Sequence, residues 1–183
     1  MNMNLYKYRI ILIAVFLYSC KQEDQTPVIC YFQEGKLNEK LVAKELRKYI
    51  YQRTSVFPQV KEIPKFPEDN IKAIIVATVQ ELKILGKNSL VMDSLNTLNQ
   101  DGFYIKSLQL SQLLIAGKEA MGALYEAYNY IENSLGVGFY LHRDTLPDEK
   151  LKQILLSGSY KTYNSLFKTR GILPFHDFSE GPD

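Results

Sequence analysis

Acidic side chains near the C-terminus are the residues of this 183-residue sequence that first suggest catalysis: Asp177, Glu180 and Asp183. Catalysis by a pair of carboxyl groups needs the two groups held at a defined separation across the substrate. Three acids in one short segment cannot be placed across a substrate by spacing alone. We therefore interpret them as loop and turn residues and predict no catalytic residue in this chain.

A glycine pair, Gly117 and Gly122, brackets the stretch Gly-Lys-Glu-Ala-Met-Gly between a predicted strand and a predicted helix, where a phosphate-binding loop would lie. Such a loop requires Lys and then Ser or Thr directly after its second glycine. Ala123 and Leu124 occupy those positions. We interpret Gly122 and Ala123 as residues that let the helix approach the sheet closely, and we predict no cofactor.

The few histidines and cysteines exclude a convincing metal site. The sequence has two of each, with no closely spaced cysteine pair, and Cys30 lies in the apolar run Val28–Phe32, which favours a buried free thiol. Twenty-two Lys and Arg against 20 Asp and Glu give a net charge of +2, without a basic block. Nucleic-acid binding needs clustered positive charge, so we predict neither a metal nor a nucleic-acid partner.

The N-terminus has the pattern of an export signal, with Lys7 and Arg9 followed by a short apolar run at residues 10–17. The run is shorter than the roughly 20 residues that a membrane-spanning helix needs. Leu17-Tyr-Ser-Cys20 resembles the lipobox of bacterial lipoproteins, which implies an acylated Cys20. The alternative is a plain secretory signal with an incidental cysteine.

We accordingly predict a signal peptide at residues 1–20, a charged tether at residues 21–26 and a protein that is exported and lipid-anchored to the bacterial cell envelope. Its membrane contact would be made through the lipid on Cys20.

Strands and helices alternate along the middle of the chain. Apolar runs predict these strands: Val28–Phe32, one within residues 58–67, Ala73–Ala77, Phe103–Ser107, Leu110–Ala116 and Val137–Leu141. Helices are predicted from a cap at Asn38 to about Thr54, from a Thr78–Glu81 capping box to about Gly86, and from about Ala120 to a stop at Gly136.

The order of these elements predicts an α+β fold: a mixed β-sheet with two main helices packed on one face, as a two-layer sandwich. The strands at residues 103–107 and 110–116 should form an antiparallel hairpin. The third helix should bury one stripe of side chains against the sheet: Ala120, Leu124, Tyr128 (or Ala127), Ile131 and Leu135.

The C-terminal segment Arg170–Asp183 looks like the opening of a further domain. It contains Ile172, Leu173, Phe175 and Phe178 with no later residues to cover them. Leaving such side chains in water forfeits roughly 1.5–3 kcal/mol each. We therefore expect residues 27–147 to form the α+β domain, and residues 148–183 to be a linker and the first strand of a truncated (β/α) barrel.

Several segments carry a family resemblance: Leu41–Ile50, Ile74–Ala77, Asp101–Ile105, Leu114–Tyr125 and Leu135–Tyr140. Together they resemble the N-terminal accessory domain of alpha-glucuronidases and bacterial beta-N-acetylhexosaminidases. The resemblance covers about Val28 to Pro147. It implies a non-catalytic α+β domain beside a barrel, in an enzyme that acts on a carbohydrate substrate.

Arg170 is the one possible sugar contact, because the resemblance to hexosaminidases places an Arg-Gly pair on the first barrel strand. Pro174 and Phe175 stand where that family has an acidic residue, and a structural ion pair at the domain junction is the alternative for Arg170. The sequence thus predicts an N-terminal, inactive part of an exported glycoside hydrolase. The alternative is a surface lipoprotein whose α+β domain is itself a carbohydrate- or protein-binding module.

Overall fold

The computed structural model describes residues 26–33, 37–87, 89, 98–108, 111–140, 142–156 and 161–164. In chain order the elements are β1 (Val28–Phe32), α1 (Leu37–Thr54), β2 (Val60–Ile63), β3 (Ala73–Thr78), α2 (Val79–Ile84), β4 (Phe103–Leu108), β5 (Gln112–Gly117), α3 (Ala120–Leu135), β6 (Gly138–Phe139), β7 (Asp144–Thr145) and β8 (Lys161–Tyr163).

Six of the strands form one mixed sheet in the order β2-β1-β3-β5-β4-β8. The first four are parallel, whereas β4 is antiparallel to both β5 and β8. The pairing of Phe103 with Gly117 and of Leu108 with Gln112 confirms the predicted hairpin. Strand β3 lies in the middle and is buried on both faces, as its unbroken apolar run predicts.

The two long helices, α1 and α3, pack on one face of the sheet and confirm the predicted two-layer arrangement. Their shared core includes Leu46 and Ile50 of α1, Ile131 of α3 and alternate residues of the central strands. The opposite face is covered by the short helix α2 and by Leu98. Cys30 is buried there as a free thiol, and burial raises its pKa to about 11.

Local signals fix several helix ends as predicted. Glu81 N–H donates to Thr78 Oγ1 at 3.3 Å and Thr78 N–H donates to Glu81 Oε2 at 2.7 Å, which completes the capping box. Gly136 ends α3 in the left-handed region with φ of 72°. Helix α1 begins at Leu37, which places the predicted cap residue Asn38 inside the first turn instead of before it.

Helix α3 is rotated relative to the predicted orientation. Ile131 and Ala127 are buried as expected, but Leu124 and Tyr128 are only partly buried. The reason is the neighbouring helix: Tyr128 Oη donates to Glu45 Oε2 of α1 at 3.1 Å. In the first turn of α3 the residues Gly122 and Ala123 are small, and this lets the helix approach Gly102 and Gly117 closely there.

The chain beyond α3 continues to pack on the domain. Among the described residues of the strand predicted at Val137–Leu141, only β6 is a strand, and it pairs with β7. After Pro147, Ile154 and Leu156 are buried in the core with α1 and α3. Strand β8 then adds to the sheet beside β4. We therefore expect the folded unit to extend through at least Asn164.

The described part of the chain contains no helix that is both long and apolar enough to span a bilayer.

Candidate functional site

The residues singled out for function by sequence lie outside the described residues. These are Cys20, Arg170, Asp177, Glu180 and Asp183. The lipid anchor and the sugar contact therefore stay predictions. Within the described ranges, no group of three or more His, Cys, Asp or Glu is arranged to hold a metal ion.

The glycine-bracketed loop before α3 is a close-packing device. A Cβ at Gly117 would lie 2.1 Å from the backbone nitrogen of Ala123, and one at Gly122 would lie 2.5 Å from Gly102 O. Lys118 N–H also donates to Gly102 O at 2.7 Å. Backbone therefore meets backbone where a phosphate would have to bind, which supports the packing interpretation of Gly122.

Replacing Gly122 with Ala should destabilise the domain by about 1–3 kcal/mol, because the added methyl group overlaps Gly102 O. Helix propensity alone would make the Ala variant more stable by about 0.8–1 kcal/mol, so the sign of the stability change distinguishes the two effects. Urea unfolding measures this stability change. Met121→Ala is the control, because Met121 lies on the exposed side of the same turn. A Gly122→Ala protein more stable than the parent would contradict the close packing.

A crevice lies at the edge where the parallel strands β1, β3 and β5 end and the three helices begin. Helices α1 and α2 leave this edge on opposite faces of the sheet, a topology that favours ligand binding between them. The crevice has a volume of about 290 Å³ and is lined by Glu39, Thr78, Gln80, Glu81, Ile84, Lys118, Glu119 and Ala120. Thr78 and Glu81 are engaged in the capping box. The volume of this crevice is at the small end of the range for ligand pockets. Its central polar groups, on Thr78 and Glu81, are already bonded to each other at the start of α2.

A buried arginine at the end of α1 binds the segment that follows α3. Arg53 is only 4% exposed. Its Nε donates to Leu135 O at 2.6 Å, and its Nη1 donates to Pro147 O at 3.0 Å and Glu149 O at 2.5 Å. Arg53 O in turn accepts from the N–H of Leu151 at 2.7 Å. One side chain thus binds both the end of α3 and the following segment to α1. We call this segment, residues 144–156, the outgoing segment.

A second contact holds the same segment one turn earlier on α1. Tyr49 Oη donates to Asp144 Oδ2 of β7 at 2.6 Å, and Lys48 Nζ donates to Tyr49 Oη at 3.0 Å. The Phe139 ring packs edge-on against Tyr49 and Tyr128, at centroid distances of 5.5 and 5.2 Å.

Burial and the acceptor Asp144 raise the pKa of Tyr49, and burial together with Glu45 raises the pKa of Tyr128 to about 12. Both phenols therefore remain protonated donors. We call Arg53, Tyr49, Asp144 and Phe139 the exit clamp.

The sequence patterns did not predict the exit clamp, although one signal for it is present. Arg53 follows Leu46, Tyr49 and Ile50 at helical spacing, so a charged residue stands on the apolar stripe of α1. A charge on such a stripe needs partners inside the protein. Those partners are backbone carbonyls far along the chain, and no sequence pattern identifies them.

Helix α3 carries a buried carboxyl group, that of Glu126. Glu126 has no exposed surface. Its Oε1 accepts a hydrogen bond from Asn129 at 3.2 Å, and its Oε2 has no hydrogen-bond partner in the part of the chain that the structure describes. Burial raises the pKa of Glu126 to about 7, while the bond from Asn129 and the charge of Lys161 on β8 act in the opposite direction. Its charge therefore changes near neutral pH.

Stability should consequently fall as the pH rises from about 4.5 to about 7, because Glu126 binds its proton more tightly in the folded than in the unfolded chain. Replacing Glu126 with Gln should remove this loss. At pH 8 the variant should be more stable than the parent by up to about 3 kcal/mol, and near pH 4 the difference should nearly vanish. Urea unfolding at both pH values measures the effect. A gain independent of pH would contradict the role of Glu126 ionisation.

Most of the chain matches a known protein family. A family model described as the glycosyl hydrolase family 67 N-terminus matches residues 19–130, more than half of the chain. The chain belongs to this family. The match confirms the predicted resemblance to the N-terminal domain of alpha-glucuronidases. The hexosaminidase side of that resemblance stays a prediction.

One solved structure that the chain resembles is a family GH115 4-O-methyl-alpha-glucuronidase with specificity for decorated arabinogalactans. The likeness has 16% sequence identity and a TM-score of 0.45, and covers 58% of this chain. The chain spans only 13% of that enzyme's length. Among curated proteins, none matches the chain significantly.

Proposed function

We propose that this chain is the N-terminal, non-catalytic domain of an exported glycoside hydrolase of the alpha-glucuronidase type, which breaks down polysaccharide or glycan. The observation that carries the proposal is the family match over residues 19–130. The carbohydrate substrate would bind to a catalytic domain elsewhere in the protein.

The exit clamp supplies a physical role for such a domain. Arg53 and Tyr49 hold the segment after α3 at two points on α1. The segment then contributes Ile154 and Leu156 to the core and ends in β8 at the sheet edge. A chain fastened in this way leaves the domain from a fixed position. We infer that the domain orients whatever follows it.

The proposed non-catalytic role can be tested with the 183-residue protein and a panel of aryl-glycosides that includes an aryl glucuronide. We expect no turnover above background. Turnover that Asp177→Asn or Glu180→Gln abolishes would overturn the non-catalytic proposal, because it would place catalytic carboxylates in this chain.

The proposal extends to the location of the protein. An export signal followed by Leu17-Tyr-Ser-Cys20 supports acylation of Cys20 and attachment to the bacterial cell envelope. Each buried methylene of an acyl chain contributes about 0.8 kcal/mol, and stable anchoring takes more than one chain.

Replacing Cys20 with Ala should release the protein from the membrane fraction of the producing cell. Cys30→Ala is the matched control, since it removes the other cysteine of the chain and should leave the protein with the membranes. Fractionation followed by immunodetection measures both. Pelleting of the Cys20→Ala protein with membranes would exclude the lipid anchor.

A further inference from the structure

The outward side of α1 is positively charged. Lys40, Lys44 and Arg47 recur at spacings of four and three residues, so they lie along one side of the helix. None of these three forms an ion pair with another described residue. The two glutamates of α1 point elsewhere: Glu39 is buried, and Glu45 accepts a hydrogen bond from α3. The exposed charge on this side is therefore of one sign.

Two exposed aromatic rings continue the same side of the helix. Tyr51 lies one turn after Arg47 and is 48% exposed, and Phe57 in the following loop is 61% exposed. Their ring centroids are 5.6 Å apart in an edge-to-face arrangement. The guanidinium carbon of Arg47 lies 4.8 Å from the centroid of the Phe57 ring. We call Lys40, Lys44, Arg47, Tyr51 and Phe57 the α1 platform.

The turn between the two rings is held in a strained conformation. Ser55 has φ of 62°, in the left-handed region that non-glycine residues rarely adopt. Its N–H donates to Tyr51 O at 2.7 Å, and the N–H of Val56 donates to Thr54 Oγ1 at 3.1 Å. These bonds fix the position from which Phe57 returns to Tyr51. The two rings are thus preorganised although both are exposed to water.

The α1 platform combines the two features that an acidic sugar chain requires. An exposed aromatic ring offers an apolar face to the C–H groups of a pyranose. A guanidinium binds a carboxylate or sulfate through paired hydrogen bonds, and nearby ammonium groups attract further negative charge. From Lys40 to Tyr51 the helix axis extends about 16 Å, which gives room for several consecutive sugar units.

We propose that the α1 platform binds an anionic polysaccharide, one that carries carboxylate or sulfate groups. Charge complementarity selects the anionic chain, and the paired rings select pyranoses over other polyanions. The inference is independent of the proposed hydrolase function, since it concerns only the surface of this domain.

Binding can be measured by affinity electrophoresis of the 183-residue protein in gels containing polygalacturonate, dextran sulfate or neutral dextran. We expect retardation by polygalacturonate, by dextran sulfate or by both, and none by neutral dextran. Comparing the two anionic polymers shows whether the α1 platform binds carboxylate or sulfate groups. Arg47→Gln and Phe57→Ala should each weaken the retarding interaction about tenfold. The matched controls are Lys83→Gln and Ile84→Ala on α2; Ile84 is 61% exposed, as Phe57 is. Both controls should bind like the parent.

A lack of retardation by both anionic polysaccharides would overturn the proposal, and so would three further outcomes. One is unchanged retardation of the Phe57→Ala protein, which would reduce the effect to attraction between opposite charges. Another is equal retardation by neutral dextran. The third is tighter binding to phosphatidylglycerol vesicles or to a thymidine oligonucleotide than to either anionic polysaccharide, with the same dependence on Arg47 and Phe57. Unchanged thermal unfolding of each variant confirms that only the exposed surface has been altered.

Discussion

Replacing Arg53 with Met is expected to lower the free energy of unfolding by about 3–5 kcal/mol. The side chain is buried and donates to the carbonyl groups of Leu135, Pro147 and Glu149. Each buried polar group left without a partner costs about 1–3 kcal/mol, and bonds from a charged donor are at the strong end of that range. Methionine keeps much of the volume, so the loss reports mainly the missing hydrogen bonds.

Equilibrium unfolding in urea at pH 7 measures this loss. Arg143→Met is the matched control, because Arg143 is exposed and the same exchange of side chains is made on the surface. Exposed substitutions usually change stability by less than about 0.5 kcal/mol. Similar losses for the Arg53 and Arg143 variants would show that the exit clamp does not stabilise the fold.

Replacing Ile131 with Ala should cost about 2–5 kcal/mol, as large-to-small changes in a packed core do. Ile131 has no exposed surface and belongs to the core between the sheet and the two long helices. Leu124→Ala removes a similar volume from the partly buried side of the same helix and should cost less than half as much. Urea unfolding of the two variants compares them. A larger loss for Leu124→Ala would mean that α3 has the orientation originally predicted from the sequence.

Much of the central sheet could be predicted because its signals are local. Continuous apolar runs mark β1, β3 and β5, and the same pattern predicts a strand buried on both faces. Thr78 and Glu81 have the spacing of a capping box, and Gly136 has the left-handed conformation that ends a helix. Each of these features is decided by residues within a few positions of one another.

The orientation of α3 and the path of the outgoing chain depend on distant contacts and could not be predicted in this way. Leu124 looks like a core residue by spacing, but α1 lies beside α3 and changes which face meets the sheet. Strand β8 has only three residues and becomes a strand by pairing with β4. Likewise, Arg53 has carbonyl partners more than 80 positions away. Tertiary packing, and not local propensity, decides these features.

Hydrogen exchange followed by mass spectrometry tests most directly whether the domain holds its outgoing segment in place. In the parent protein we expect strong protection in β3 and clear protection at Leu151, whose N–H donates to Arg53 O. In the Arg53→Met protein, protection across residues 147–156 should fall to the unprotected rate. Protection in β3 should fall only by the factor that the loss of global stability sets, so β3 should remain protected relative to residues 147–156. Exchange of residues 147–156 at the unprotected rate in the parent protein would contradict the proposed orienting role of the domain.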